Sequence, residues 1–291
     1  MSTATATPPR RPAPGASTDV RPDRRSSARW WGLALYTAVT AVVLIPLVAV
    51  VALALRPRQG TGLSGYTLET IGYVLTQTQS IIWLENSLLV SLVSTLVAVV
   101  VAAPAGYVLS RGRSRAVSGY SLLLFVVQGF PVVVFVIPLF ILFARLNLVD
   151  TPGGLIIIYV AASMSVACWM MAAYFDSIPV SLEEAAWIDG CSLFGGFVRV
   201  VLRNSLPGVL STAIFTFLVA WNDYLVAVVF LRSTINYTLP VGLQTFFQQN
   251  ATDWGPVMAT ALLMMLPPII VFAALNRYFS VGGIGGSLAG R

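Results

Sequence analysis

The sequence contains no histidine and no lysine, and all 17 of its basic residues are arginine. Without lysine the chain cannot build the G-x-x-x-x-G-K-[ST] phosphate cradle by itself, so any ATP it depends on must be used by a partner. Without histidine, the Cys/His zinc spacings and the Ser-His and Cys-His nucleophile pairs are excluded. Cysteine is nearly absent as well, with 2 in the chain. Cys168 lies in an apolar segment and Cys191 in a polar loop, at no disulfide or metal spacing, so both read as small packing residues. Charge is also scarce: charged residues make up 10% of the 291, against about 25% in an ordinary soluble domain.

What is present is apolar. Hydrophobic residues make up 57% of the chain and the mean hydropathy is +0.84. No soluble fold of this size has enough interior to hide that surface, so lipid is the solvent of most residues. The formal charge of +6 does not point to nucleic acid, because the arginines flank long apolar runs and form no aromatic-interleaved basic groove.

A helix rising 1.5 Å per residue needs about 20 apolar residues to cross roughly 30 Å of hydrocarbon. Six stretches satisfy this: Trp30 to Leu55, Ser87 to Ser110, Val117 to Phe143, Leu155 to Phe175, Pro207 to Leu231 and Gly255 to Asn276. The expected fold is therefore an all-α polytopic membrane protein with six transmembrane helices. Pro46, Pro104, Pro131, Pro138 and Pro267-Pro268 each delete a backbone bond, which implies kinked helices packed in a bundle. The run from Trp30 is too long for the apolar region of a signal peptide and should remain as a span. Before it, residues 1–29 are rich in Pro, Ser, Thr and Arg, and read as a disordered basic tail.

With the N-terminus inside, thirteen arginines fall on the cytoplasmic side and four (Arg56, Arg58, Arg145, Arg232) outside. Both termini are thus expected in the cytoplasm. The layout is a tail at 1–29, a six-span domain at 30–279 with a cytoplasmic loop at 176–206, and a Gly-rich cytoplasmic tail at 280–291. Trp30, Trp31, Trp83 and Tyr278 suit the aromatic girdle of a membrane interface. The lack of an internal repeat weighs against a secondary transporter built from inverted halves.

Between the fourth and fifth stretches, Ser181 followed by Glu184 reads as a capping box opening a helix over about 182–189. Gly190 can supply the left-handed residue that ends it. A second amphipathic stretch places Phe194, Phe197, Val198, Val201 and Leu202 on one face and Arg199 and Arg203 on another. A helix-turn-helix elbow at the membrane surface is expected.

Glu184-Ala185-Ala186, Asp189-Gly190, Phe197, Val200, Leu202 and Pro207, at their spacings over about 24 residues, resemble the EAA loop of permease subunits in binding-protein-dependent ABC importers. Cys191 stands where that family usually has Ala, and Arg203 where it often has Pro, which implies a straighter second helix. Asn86-Ser87 opening the second span, Trp221-Asn222-Asp223 in the fifth and Gly282 to Gly286 near the end resemble the carbohydrate branch, specifically the smaller permease of maltose-type importers. The resemblance implies a coupling helix between the fourth and fifth spans that docks into a cytoplasmic ATPase, with Glu184, Ala185, Ala186, Asp189 and Gly190 at the contact. It also implies a heterodimer with a second permease, two ATPase copies, an extracytoplasmic sugar-binding protein and a bacterial plasma-membrane location. ATP and Mg2+ would be used by the ATPase, with no cofactor or metal on this chain. Taken alone, Glu184 only completes its capping box, Asp189 is a solvated acid, and a Gly-rich tail is floppy.

Asp223 is the sole charge within the six stretches, and a carboxylate in hydrocarbon is costly enough to be a functional candidate. Trp221 and Asn222 beside it offer a ring and an amide, the surfaces a sugar uses, although consecutive helical residues point about 100° apart. A membrane-interface anchor, a contact with a second permease and pairing with Arg232 are the structural alternatives. The segment from Arg232 to Trp254 carries Gln244, Phe247, Gln248 and Gln249. In related importers this loop enters the binding protein; otherwise it is a wet loop. Taken together, the sequence points to a non-enzymatic permease for a neutral carbohydrate, with another small solute such as a glycerol-phosphate-type polyol as the alternative. A proton-coupled transporter would show a chain of intramembrane acids or histidines, and a membrane-embedded hydrolase would show converging nucleophile, base or metal ligands; neither pattern is present.

Overall fold

The structure, a computed structural model, describes residues 24–247 and 252–288. By its contacts the chain divides into residues 1–48 and 49–291. The first unit contributes most of α1 (Arg24–Ala54), whose apolar side chains from Trp30 onward are almost all exposed, as a helix facing lipid requires. This helix begins before Trp30, within the expected tail. Residues 1–23 of that tail lie outside the described residues.

Among the described residues of the second unit the regular elements are all helices, joined by turns and loops. In chain order the unit holds α2 (Glu69–Thr76), α3 (Ser80–Arg111), α4 (Arg115–Gln128), α5 (Val132–Arg145) and α6 (Pro152–Asp176). Then come α7 (Val180–Ile188), α8 (Leu193–Gly196) continued by a π turn (Phe197–Leu202), α9 (Leu206–Trp221), α10 (Leu225–Phe230), α11 (Leu239–Leu243) and α12 (Trp254–Leu288). Among the described residues four helices are long and apolar enough to cross a membrane: Trp30–Ala54 of α1, α3, α6 and Trp254–Leu275 of α12. The count reaches six only if each of two bent pairs forms one span.

Two of the six stretches, expected as kinked spans, are broken into separate helices. α4 and α5 meet at 95°, and each has 14 residues, about 21 Å of helix, too short to cross alone. Pro131 has no N–H to give the turn before it, and it pushes Phe130 out of helical geometry, so the expected run from Val117 to Phe143 is two half-helices. The run from Pro207 to Leu231 is likewise interrupted at residues 222–224. There Asp223 Oδ2 accepts from the N–H groups of Val226 and Ala227, each at 3.1 Å, and so starts α10 afresh. The segment Leu193–Leu202 meets α9 at 79°. The elbow bends without a proline at 203, because Pro207 cannot donate to the Arg203 carbonyl.

Two helices outrun their expected limits. α3 starts at Ser80, placing Asn86-Ser87 inside the helix, and α12 continues past Asn276 through Gly282–Gly286. α3 packs chiefly on α6, then on α9. Where α3 meets α6, Ala102, Ala103 and Gly106 face Cys168, Met171 and Ala172. Lipid tails are as apolar as the side chains, so small residues that permit close packing replace hydrophobic exclusion as the driving term. Near the other end, Phe230 of α10 packs edge-on against Phe140 and Phe143 of α5.

Candidate functional site

The elbow at residues 177–205 forms, with different bounds and a different cap from those the sequence suggests. α7 starts at Val180 and its cap position is Pro179, with no side-chain cap bond. The Ser181–Glu184 capping box is therefore not made: Ser181 lies inside the first turn, and Glu184 is exposed. Gly190 ends the helix at φ +86°, the left-handed geometry that needs glycine. Of the five residues expected at an ATPase contact, Glu184, Ala185, Asp189 and Gly190 are exposed and Ala186 is buried. Beside them Ile188 is 87% exposed and Phe194 73%, an apolar patch at the tip of the elbow.

The acid that organises the elbow is the neighbour of the expected one. Glu183 is buried to 1% exposure and points toward the bundle, where Arg111 at the end of α3 meets it. Arg111 Nε donates to Glu183 Oε1 at 2.8 Å, and Nη2 lies 2.7 Å from the same oxygen. Tyr107 Oη donates to Glu183 Oε2 at 2.6 Å. The same guanidinium also reaches two carbonyls at and just beyond the C-terminal end of α6, donating to Phe175 O at 3.0 Å, which accepts from Ile178 N as well, and to Ile178 O at 2.8 Å. Ser110 Oγ donates to Asp176 Oδ1 at 2.5 Å, and Tyr107, Phe175 and Phe197 pack their rings beneath. Spacing from Ser181 selects Glu184 and could not identify Glu183 as the buried acid. The signal that could have is the Arg111 and Tyr107 pair one helical turn apart on α3, a polar pair that needs a buried anion.

At the opposite end of the bundle the segment 231–247 is anchored in its middle, where Leu239 to Gly242 are buried, while Arg232 to Ile235 are exposed. Trp83 Nε1 donates to Thr234 O at 2.8 Å, Asn86 Nδ2 donates to Ile235 O and Tyr237 O, and Leu239 N donates to Ser87 Oγ. Gly242 lies flat on the Trp83 ring, where a Cβ would come within 2.1 Å of it. Gln244 and Phe247 are exposed; Gln248 and Gln249 lie outside the described residues. Asp150, between α5 and α6, holds the start of this segment. Its Oδ1 accepts from Arg232 N at 2.8 Å and Ser233 N at 3.0 Å, and its Oδ2 accepts from Ser233 Oγ. Burial works against ionisation of Asp150, but these bonds from Ser233 and Arg232 outweigh it and bring the carboxyl from 3.8 to about 2.

The three residues expected on a solute path point apart. Trp221 is buried, stacked on Phe217 with ring centroids 5.6 Å apart, and donates from Nε1 to Met264 O. Asn222 is exposed. Asp223 accepts from Tyr159 Oη at 2.7 Å as well as from its own α10 N–H groups. It does not pair with Arg232, whose guanidinium lies over the Phe140 ring at 5.2 Å. An apolar cavity of about 390 Å³ lies between the α4–α5 bend and α6, with Gln128 and Ser165 as its polar groups. A second, of about 530 Å³, opens beside Trp83 and Phe246 and mixes aromatic rings with Gln59, Gln79, Arg58 and Asp253. Among the described residues no group of three or more His, Cys, Asp or Glu gathers for a metal.

The family described as binding-protein-dependent transport system inner membrane component matches residues 98–281. A putative ABC transporter permease of Streptomyces antibioticus is 37% identical over 203 residues, 70% of this chain and 89% of its own. The arabinooligosaccharides transport system permease of Halalkalibacterium halodurans is 28% identical over 265 residues, covering 86% and 94%. In structure, a bacterial ABC transporter involved in the import of the acidic polysaccharide alginate matches with a TM-score of 0.76 at 21% identity, over 88% of this chain and 98% of that one, and shares the fold. With the family matched over the elbow and the spans on either side of it, the chain belongs to the inner-membrane components of binding-protein-dependent transport systems: it is a non-catalytic ABC permease subunit, and ATP is hydrolysed by a separate subunit.

Proposed function

We propose that this permease carries a neutral carbohydrate or polyol across the bacterial plasma membrane, with both termini and the elbow in the cytoplasm and the segment 231–247 outside. The observation that carries the transport role is the elbow, with Glu184, Asp189, Ile188 and Phe194 exposed together at one end of the helices. In this reading Glu184, Ala185, Ala186, Asp189 and Gly190 belong to the surface that docks on the ATPase. The full importer pairs the chain with a second permease, two ATPase copies and an extracytoplasmic sugar-binding protein. Closure of the ATPases displaces the elbow and shifts the spans between two access states.

The neutral solute is supported by spans that hold no arginine in their interior, by the aromatic and amide lining of the 530 Å³ cavity, and by the relative named for arabinooligosaccharides. Asn222 is the member of its triplet placed to meet the solute, while Trp221 and Asp223 hold the broken helix in place. Gln244, Phe247, Gln248 and Gln249 meet the binding protein. Uptake by the reconstituted importer across a panel of neutral sugars, polyols and acidic saccharides tests the assignment. The acidic members belong there because Arg58 lines the outer cavity; import of those alone overturns the neutral-solute reading. Orientation is tested separately with Arg113→Cys and Gln244→Cys in a background lacking Cys168 and Cys191. An impermeant thiol reagent added from outside is expected to label position 244 and spare 113.

A further inference from the structure

The elbow is hinged at both ends. Pro179 precedes α7 and Gly190 follows it, so a helix attached through those connectors alone could swivel without moving the spans. Glu183 removes that freedom. Its carboxylate leaves α7 about 100° around the helix from Glu184, and both its oxygens are taken by α3, one by Arg111 and the other by Tyr107. Arg111 in turn grips the end of α6 through the Phe175 and Ile178 carbonyls. One guanidinium therefore joins three elements: its own helix, the end of α6 and the elbow helix. The cation also sits at the C-terminal ends of α3 and α6, where the helix dipoles favour it.

We propose that Arg111 and Glu183 are positioning residues for transport, forming a strut that makes the elbow helix and span α3 move as one piece. The covalent paths from elbow to membrane lead back through residues 177–179 to α6 and forward through the π turn to α9. The strut adds a third path, to α3, which packs extensively on both α6 and α9. A carboxylate so buried is little screened by salt, and its planar partner holds it in a fixed orientation. Movement of α7 is delivered to the bundle core instead of being absorbed by its hinges. The inference rests on the coupling role proposed above for the elbow.

The test uses the reconstituted importer with its partner permease, ATPase and binding protein, in a background lacking Cys168 and Cys191. Spin labels at Ser181→Cys and Leu96→Cys report the separation of α7 and α3 with and without ATP and Mg2+. Labels at Ser181→Cys and Leu266→Cys report whether the elbow moves against α12. With Arg111 and Glu183 in place, the second separation is expected to shift by more than about 2 Å on ATP binding while the first stays fixed. In Glu183→Gln the first is expected to shift as well, by a comparable amount. A contact with only a structural role would lower assembly but leave the first separation fixed in the complexes that form, and that result overturns the strut. If the first pair already shifts in the unmodified chain, the strut is overturned while the moving elbow stands. If neither pair shifts, the coupling role of the elbow fails and the strut falls with it. Should Glu183→Gln not assemble, Arg111→Lys decides, because a point charge cannot hold the carboxylate and both carbonyls together; a fixed first separation in that variant overturns the proposal.

Discussion

Two carboxylates pin the two ends of the second unit, and they are held in opposite ways. At the elbow end Glu183 is satisfied by side chains, the Arg111 guanidinium and the Tyr107 hydroxyl. At the other end Asp150 is satisfied mostly by main chain, through the N–H groups of Arg232 and Ser233, with only the Ser233 hydroxyl added. Side chains on separate helices can rotate and travel together, so the first arrangement suits elements that move. Main-chain donors at fixed spacing allow one loop register, and Asp150 itself is held at φ +59° to meet them. The second arrangement suits a segment that must stay where it is. The cost of removing a partner also differs: a buried charge loses its counter-ion at one end, whereas a partly exposed carboxylate leaves its donors near water at the other.

The largest effect follows from that asymmetry. Arg111→Met leaves Glu183 buried and unpaired, and is expected to destabilise the protein by about 3–5 kcal/mol. Thermal unfolding of the purified subunit in detergent measures this. Arg111→Met combined with Glu183→Leu is expected to recover most of the loss, because replacing a whole buried pair by apolar groups is close to neutral. A double variant as unstable as the single one would mean that the carbonyls of Phe175 and Ile178, rather than the ion pair, are what need the guanidinium.

At the opposite end, Asp150→Ala removes the acceptor for three donors and places an ordinary side chain in left-handed geometry. A loss of about 2 kcal/mol is expected, confined to the segment 231–238. Limited proteolysis or hydrogen exchange of that segment should detect it, with Asp150→Asn affected less because Asn tolerates the same geometry. The pH dependence has a definite sign. Since the folded carboxyl is held at about 2, below its ordinary 3.8, its contribution is complete above about pH 4 and is lost as pH falls through 2. Protection of 231–238 should therefore drop on acidification toward pH 2 in the unmodified chain and lose that step in Asp150→Asn.

How far the sequence could reveal these two ends follows from what each depends on. Long apolar runs and the turn at Gly190 are local, and they were legible. Prolines announced bends, and Pro131 supplies one of them. The break at Asp223 was not legible as a break, because an acid in an apolar run reads as a ligand group before it reads as a helix start. Asp150 carries no local signal, since nothing in its neighbourhood names Arg232 and Ser233, 82 and 83 residues away, as partners. Glu183 and Glu184 differ by about 100° on the helix, so a shift of the helix start from 182 to 180 leaves the capping pattern unused, and Arg111 and Tyr107 take the other acid.

The smallest predicted effect tests that register. If α7 began at a Ser181 cap, Ser181→Ala would remove a side-chain acceptor from the first turn and cost about 1 kcal/mol, as lost caps do. With Pro179 at the cap position, Ser181 sits inside the helix, where alanine is at least as good a helix former. Thermal unfolding of Ser181→Ala is therefore expected to match the parent within about 0.5 kcal/mol. Glu184→Ala should behave alike in stability, because its side chain is exposed and makes no cap bond, while import should fall if Glu184 meets the ATPase. A capping-sized loss in both variants would place the start of the helix at Ser181 after all, and would turn Glu183 away from Arg111.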